Sequence, residues 1–227
     1  MTSENVKFKI SLLNQVWLGP GLRRIADDVF VSRAGVLKKT HNNIYYVDGL
    51  QKRYVPAPDE MVVGIVTKKL GDFFRVDIGA SEQALVHFQA FKGATKKMRP
   101  NINVGDILFG KVVLACPDME PELVCCEDTQ GEHERLGILP PTQGHLFTCS
   151  LHLVRKLVSP DCKLFDILKK AFKFETAIGM NGKVWVNGVD VTTTIALGDA
   201  ILSAEIMTNK EIEEHCNKLA MNVHFIK

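Results

Sequence analysis

One predicted strand carries an aromatic ring and a guanidinium group in an arrangement suited to nucleic-acid binding. Strand alternation over residues 73–78 places Phe74, Val76 and Ile78 on one face and Phe73, Arg75 and Asp77 on the other. The first face is typical of a barrel core, whereas the second leaves a ring beside a positive charge. A flat π surface can stack on a base while a cation binds the phosphate chain. This strand therefore predicts a surface for single-stranded nucleic acid.

Further polar and basic side chains surround this strand in the sequence. His87 ends the next predicted strand, within reach of the same surface. The candidate cations are Lys68 and Lys69 at the end of the preceding strand and Lys92, Lys96, Lys97 and Arg99 on a long loop. Such a ring of cations would give salt-sensitive, sequence-tolerant binding. The alternative is a solvated lysine loop, with Phe73 and His87 packed against a neighbouring domain.

Five short strands must position these residues. They are predicted at Met61–Lys68, Phe73–Ile78, Ala84–His87, Asp106–Leu114 and Leu123–Cys126. Turn residues separate the strands, and the longest connection lies between the third and the fourth. This pattern predicts a five-stranded OB barrel in an RNA-binding domain spanning residues 59–128.

The N-terminal segment, residues 1–58, is predicted to be a β-rich domain. Val29–Val31 and Val36–Lys38 flank the turn residues Ser32–Gly35, which is a hairpin signal. A second turn at residues 41–43 leads into Ile44–Val47. Pro56 and Pro58 favour an extended chain and place the domain boundary there.

The C-terminal segment, residues 145–227, changes character after a linker rich in glycine and proline. Strands are predicted at Leu146–Ser150, Phe174–Ile178 and Lys183–Val186, and helices over 151–158, Cys162–Phe172, Val191–Met207 and Lys210–Ala220. Asp161 is the expected N-cap of the second helix. Asn181–Gly182 indicates a tight hairpin turn because both residues tolerate positive φ. The fold class is therefore mainly β plus a C-terminal α+β domain.

Charge and composition narrow the classes of function. The net charge of the 227 residues is +2, but residues 61–111 carry eight Lys and Arg against four acids, and residues 112–144 carry seven acids and one Arg. Opposed surfaces or ordinary charge variation both fit this pattern. The six cysteines form no C-x-x-C pair and are expected to be reduced thiols. No apolar run is long enough for a membrane span, and the N-terminus lacks the apolar region of a signal peptide.

An enzyme is not expected. The acidic residues do not form a convergent set for metal-dependent hydrolysis, and the chain has no Gly-rich phosphate loop or common hydrolase motif. We therefore predict no catalytic residue, no metal and no cofactor.

The central motif resembles a known domain. Residues 71–79, Gly-Asp-Phe-Phe-Arg-Val-Asp-Ile-Gly, followed by Leu85-Val86-His87, are similar to the RNA-binding OB domain first defined in ribosomal protein S-one. Ala84 departs from that pattern, since many members have Gly there. The order of a β-rich domain, this OB domain and a KH-like domain with Gly179-Met-Asn-Gly182 resembles the cap subunits of the RNA exosome. Residues 93–96, 117–122 and 153–157 resemble the ribosomal-RNA-processing protein forty (exosome component three) family.

This resemblance implies a non-catalytic cap subunit that guides single-stranded RNA to a separate 3'–5' exoribonuclease core. Its implied partners are RNA, the exosome ring subunits and other cap subunits, and its implied location is the nucleus and nucleolus, with a cytoplasmic pool. A stand-alone OB/KH RNA-binding factor in translation or ribosome biogenesis, or a scaffold that makes only protein contacts, are the alternatives.

The Gly-x-Asn-Gly motif is interpreted as structural. An RNA-gripping KH domain carries Gly-x-x-Gly between two helices, whereas Gly179, Asn181 and Gly182 lie between predicted strands. Trp185 follows on the next strand and is expected to be a core or interdomain anchor. The resemblance implies the same role for the motif, as an element of the fold that holds the domain against the barrel.

Overall fold

The computed structural model describes residues 7–8, 16–26, 28–40, 43–49, 51–116, 118–126, 136–140, 144–160 and 162–224. The chain divides into two compact units, Met1–Gln51 and Lys52–Lys227. None of the helices in these residues is long and apolar enough to cross a membrane.

The smaller unit consists of short strands. They are β1 (Lys7–Phe8), β2 (Trp17–Leu18), β3 (Leu22–Ile25), β4 (Asp28–Val31), β5 (Val36–Lys39) and β6 (Ile44–Asp48). They form two three-stranded sheets with the orders β1-β4-β3 and β2-β6-β5. The β-rich character predicted for this segment is confirmed.

One predicted hairpin in this unit is wrong. β4 pairs with β1 and β3, and β5 pairs with β6, so residues 32–35 connect two sheets. Gly35 explains this path: a Cβ at that position would stand 2.4 Å from the carbonyl oxygen of Asp48. The glycine is therefore needed for close approach to β6. The β5–β6 turn follows the prediction at Asn43, which has φ 54°, while His41 and Asn42 lie outside the described residues.

The larger unit begins with a closed five-stranded barrel. Its strands are β7 (Met61–Leu70), β8 (Phe73–Asp77), β9 (Ala84–Phe91), β10 (Ile107–Leu114) and β11 (Glu122–Cys125). β7 pairs with β8 and β10, β8 pairs with β9, β9 pairs in parallel with β11, and the β10–β11 pairing closes the barrel. The five strands predicted from the sequence are confirmed.

An additional strand, β12 (Gly137–Leu139), pairs with the first residues of β10, Ile107–Phe109, whereas β11 pairs with the last ones. β12 lies in the segment interpreted as a linker. A strand of three residues is too short to show an alternating pattern in the sequence. It forms because its backbone pairs with the edge of β10.

The KH-like domain contains β13 (His145–Thr148), α1 (Leu151–Val158), α2 (Leu164–Ala171), β14 (Phe174–Ile178), β15 (Lys183–Gly188), α3 (Val191–Ser203) and α4 (Asn209–His224). The strands form an antiparallel sheet with the order β13-β15-β14. The helices bury Leu153, Leu164, Leu197 and Ile201 in one core with Val184 of the sheet. The predicted α+β domain is confirmed.

The start of α2 differs from the prediction. The helix begins at Leu164, its N-cap is Lys163, and the Lys163 side chain makes no capping hydrogen bond. The predicted cap, Asp161, lies outside the described residues. The expected helix was two residues too long at this end, because Cys162 and Lys163 precede the first helical residue.

Candidate nucleic-acid interface

The solvent face of the barrel carries the predicted aromatic ring. Phe73 is 43% exposed, whereas Phe74 is 7% and Val76 0% exposed. This alternation follows from the strand period and was predicted from the sequence. Phe73 lies opposite His87 in the β8–β9 register, and their ring centroids are 5.0 Å apart with an interplanar angle of 67°. We call Phe73, Arg75 and His87 the Phe73 face.

His87 has a defined orientation on this face. Its Nδ1 accepts a hydrogen bond from the backbone N–H of Gln89 at 3.2 Å. In a neutral imidazole the nitrogen that does not accept carries the proton. Nε2 of His87 is therefore the nitrogen available to donate a hydrogen bond to a ligand.

Arg75 is held by an acidic side chain, Glu120, that is not among the site residues predicted from the sequence. Its Nη2 donates to Oε1 of Glu120 at 2.6 Å, and both side chains are about one-third exposed. Its Nε is buried and has no hydrogen-bond partner. The guanidinium is thus partly neutralised, and its Nε hydrogen is closed off from solvent.

The loop between β9 and β10 presents lysines at its tip. Thr95 and Met98 exchange backbone hydrogen bonds of 3.0 and 3.1 Å, so Lys96 and Lys97 form a two-residue tip. Both are exposed, as is Lys92. We call residues 92–99 the lysine loop.

Arg99 attaches the lysine loop to the barrel. Its guanidinium lies 4.7 Å from the centre of the Phe88 ring and 2.9 Å from Oδ1 of Asp72. Asp72 is the residue before Phe73, so the loop is fixed beside the Phe73 face. Arg99 positions this loop in addition to contributing charge.

The remaining candidate cations lie at the end of β7. Lys68 faces Arg75 in the β7–β8 register and is exposed. Lys69 donates to Oδ1 of Asn103 at 3.3 Å. The structure therefore gathers Phe73, Arg75 and His87 on one face, with Lys68 next to Arg75.

The Gly-x-Asn-Gly motif joins the KH-like domain to the barrel. The buried amide of Asn181 donates to the carbonyl oxygens of Val63 at 2.7 Å and Ile78 at 2.8 Å, and it accepts from the N–H of Val63 at 3.3 Å. A Cβ at Gly179 would stand 2.6 Å from the Val63 nitrogen. Asn181 therefore binds the barrel wall through hydrogen bonds, and Gly179 packs closely against it.

The turn between β14 and β15 spans residues 179–182, as predicted from the sequence. Residues 179–182 form a four-residue connection, in which Gly182 N–H donates to the Gly179 carbonyl at 3.0 Å. Gly182 has φ +83°, but Asn181 is not in the positive-φ region. The role of Asn181 is to form side-chain hydrogen bonds with the barrel. Turn preferences of short segments do not predict such bonds.

Two further contacts support this junction. Trp185 is 2% exposed and shares an apolar cluster with Val63, Leu139 and Ala177. Nζ of Lys183 donates to the carbonyl oxygen of Asp77 at 2.9 Å and to its carboxylate at 3.1 Å. Desolvation acts to raise the pKa of Asp77, but the Gly79 N–H and Lys183 outweigh it, so this pKa lies below its usual value.

The KH-like domain lacks the usual RNA-gripping loop. The α1–α2 connection, residues 159–163, reads Ser-Pro-Asp-Cys-Lys and contains no glycine. A Gly-x-x-Gly clamp needs backbone that can approach nucleotides closely. The Phe73 face of the barrel is therefore the better candidate for RNA contact.

These features define a class of protein with an S1-type barrel joined to a KH-like domain. Family models match residues 54–137 (exosome complex component RRP40, S1 domain), 144–192 (KH domain) and 5–50 (mammalian exosome complex component RRP40, N-terminal). The chain is also similar in sequence to proteins named exosome complex component RRP40. The Homo sapiens protein is 40% identical over 212 residues, covering 91% of this chain and 76% of the relative. The Drosophila melanogaster protein is 40% identical over 205 residues, covering 90% and 87%. The Saccharomyces cerevisiae protein is 31% identical over 198 residues, covering 83% and 82%.

The chain belongs to the exosome complex component RRP40 family. The resemblance drawn from residues 71–87 and 179–185 is thereby confirmed.

Proposed function

We propose that this protein is a non-catalytic RNA-binding subunit of the RNA exosome, which guides single-stranded RNA toward a separate exoribonuclease core. The observation that carries the proposal is the exposed Phe73 ring, held beside Arg75 and His87 on the outside of a closed barrel. Its partners are RNA, ring subunits and other cap subunits. Its place of action is the nucleus and nucleolus, with a cytoplasmic pool.

The geometry supports sequence-tolerant contact. A base stacks on the Phe73 ring, because every base offers a π face. Nε2 of His87 on β9 and the charge of Lys68 on β7 then lie on the strands that flank this base, and the guanidinium of Arg75 lies two residues along the strand that carries Phe73. Lys96 and Lys97 add positive charge along the path of the backbone, so affinity should fall steeply with salt.

The proposed role needs no chemistry at the RNA. The Phe73 face offers stacking, hydrogen-bond donors and positive charge, which bind and orient a strand. Glu211, Glu213 and Glu214 are exposed along α4, distant in the chain from this face. RNA cleavage is therefore assigned to another subunit of the assembly.

The test of the RNA site is Phe73→Ala in the assembled complex. Loss of base stacking should weaken binding of single-stranded RNA by about 1–3 kcal/mol, or about 5- to 150-fold. Fluorescence anisotropy with labelled RNA measures this change. Phe73→Tyr keeps the ring and should retain affinity, and Val113→Ala replaces an exposed side chain of β10 as a matched control. Equal affinity of the alanine variant and the parent would reject the site.

Glu120 gives a prediction of opposite sign. Glu120→Gln removes the charge that competes with RNA phosphate for Arg75 and keeps a hydrogen-bonding side chain. An exposed ion pair is worth about 0.2–1 kcal/mol, so RNA affinity should rise by up to about fivefold. Salt titration of the anisotropy signal checks this, with the exposed Glu122→Gln as control. Weaker binding in the Glu120 variant alone would mean that Glu120 holds Arg75 in its binding position.

Membership of the assembly is tested separately. Native mass spectrometry of the endogenous protein should find it bound to exosome subunits. Its isolation as a free monomer that still binds RNA would favour a stand-alone factor.

A further inference from the structure

A groove with a volume of about 740 Å³ lies between β13 and α3 of the KH-like domain. One face of α3 forms its first wall, with Val191, Ile195 and Leu202 exposed by 76%, 56% and 40%. The spacing of these residues places them along one side of the helix. The opposite side of α3, including Leu197 and Ile201, is already buried in the domain core. The helix therefore carries a second apolar side that the described residues do not cover.

β13 forms the second wall. His145 and Phe147 lie on the same face of this strand, and their rings stack with centroids 5.9 Å apart. Gly198 of α3 lies above Phe147, because a Cβ at Gly198 would stand 3.8 Å from the Phe147 ring. The glycine keeps the two walls close at this point and leaves the groove open on either side.

β13 is an edge strand. Within the described part of the chain it pairs with β15 and with no other strand. An edge strand beside an apolar helix is the arrangement that accepts an extended peptide: the backbone groups pair with the peptide, and alternate side chains enter the groove. The geometry therefore favours an extended occupant over a helical one.

Charge decides the chemistry of the occupant. Two carboxylates, Asp190 and Asp199, line the groove, and both are exposed. The groove lining includes no lysine or arginine among the described residues. An RNA backbone would be repelled here, whereas a segment that carries lysine or arginine would be attracted.

We propose that the β13–α3 groove binds an extended segment of a partner protein, which pairs with β13, places an apolar side chain between Phe147 and Ile195, and places a lysine or arginine beside Asp199. This surface is separate from the Phe73 face. Its occupation therefore leaves RNA binding by the barrel unchanged.

The test uses two synthetic peptides with the full-length chain, one of alternating valine and lysine and one of alternating valine and glutamate. The lysine peptide should bind at least about tenfold more tightly by fluorescence anisotropy, a difference of about 1.4 kcal/mol. Hydrogen exchange of the backbone amides of residues 145–148 should slow when it binds. N-methylation of alternate peptide nitrogens should remove binding, because it removes the donors that pair with the strand.

Substitutions in the groove locate the site. Ile195→Gln removes the apolar contact without adding charge and should weaken binding of the lysine peptide, and Asp199→Lys should reverse the preference toward the glutamate peptide. Ile206→Gln, at a position 93% exposed outside the groove, is the matched control and should bind like the parent. Phe73→Ala should leave peptide binding unchanged, so failure of the RNA proposal and failure of this one are distinguishable.

Three results would overturn the proposal. The first is equal binding of the two peptides. The second is unchanged binding of the lysine peptide in Ile195→Gln. The third is concentration-dependent dimerisation of the parent chain that Ile195→Gln weakens in sedimentation, which would assign the groove to a second copy of this chain.

Discussion

Trp185→Ala is expected to lower the free energy of unfolding of the larger unit by about 3–5 kcal/mol. The indole is 2% exposed and fills an apolar cluster that contains Val63 and Leu139 from the barrel side and Ala177 from the KH-like domain. The surrounding backbone cannot collapse into the vacated volume without breaking the contact between the two domains. Urea denaturation followed by circular dichroism measures this loss.

The chain supplies a matched control for this substitution. Its other tryptophan, Trp17, is 68% exposed, so Trp17→Ala should change stability by no more than about 0.5 kcal/mol. Below the melting temperature of the variant, Trp185→Ala should still bind RNA through the Phe73 face. An unchanged melting temperature together with reduced RNA affinity would contradict the role of Trp185 as an anchor and would make it a base-stacking residue.

Local periodicity explains why the centre of the fold could be predicted. In a strand the two faces alternate with every residue, so the burial of Phe74 and the exposure of Phe73 follow from position alone. Short connections with glycine separate β7, β8 and β9, and these turns are also local signals. The three strands that build the Phe73 face therefore lie within one continuous stretch, from Met61 to Phe91.

Contacts between distant segments could not be predicted in this way. Glu120 reaches Arg75 across 45 positions of the sequence, and this pairing depends on how β11 joins β9 when the barrel closes. The acidic stretch was visible, but its charges were equally compatible with a solvated linker. The hairpin across residues 32–35 failed for a related reason. A turn signal shows that the chain reverses, and it does not show which strand becomes the neighbour.

The motif at residues 179–182 combines a feature that the sequence predicts, the turn, with one that it does not predict, the hydrogen bonds to the barrel. Its glycines and its position between strands indicated a turn with a structural role, and Gly182 has the positive φ expected of such a turn. The hydrogen-bond partners of Asn181 lie 118 and 103 positions away, in β7 and directly after β8. The conformational preferences of a short segment cannot predict these long-range hydrogen bonds, because the bonds form only when the barrel is assembled.

Asn181→Ala is expected to lower the free energy of unfolding by about 2–4 kcal/mol. The substitution leaves the N–H and C=O of Val63 and the C=O of Ile78 without the partners they have in the folded protein. Each buried polar group that loses its partner costs about 1–3 kcal/mol, and water that enters the gap recovers part of this cost. Urea denaturation measures the change, and Asn217→Ala on the exposed side of α4 is the control.

Asn181→Asp separates the loss of hydrogen bonds from the loss of volume. The introduced carboxylate has nearly the shape of the amide, but at neutral pH it has no donor for the two carbonyl oxygens that face it. The site therefore favours the protonated acid, and the folded-state pKa of this group is raised above its unfolded value. Protonation restores one donor, so the stability of Asn181→Asp relative to Asn181→Ala should rise as pH falls from neutral toward mildly acidic values. The same pH dependence in both variants would mean that the amide fills space at this junction without bonding the barrel.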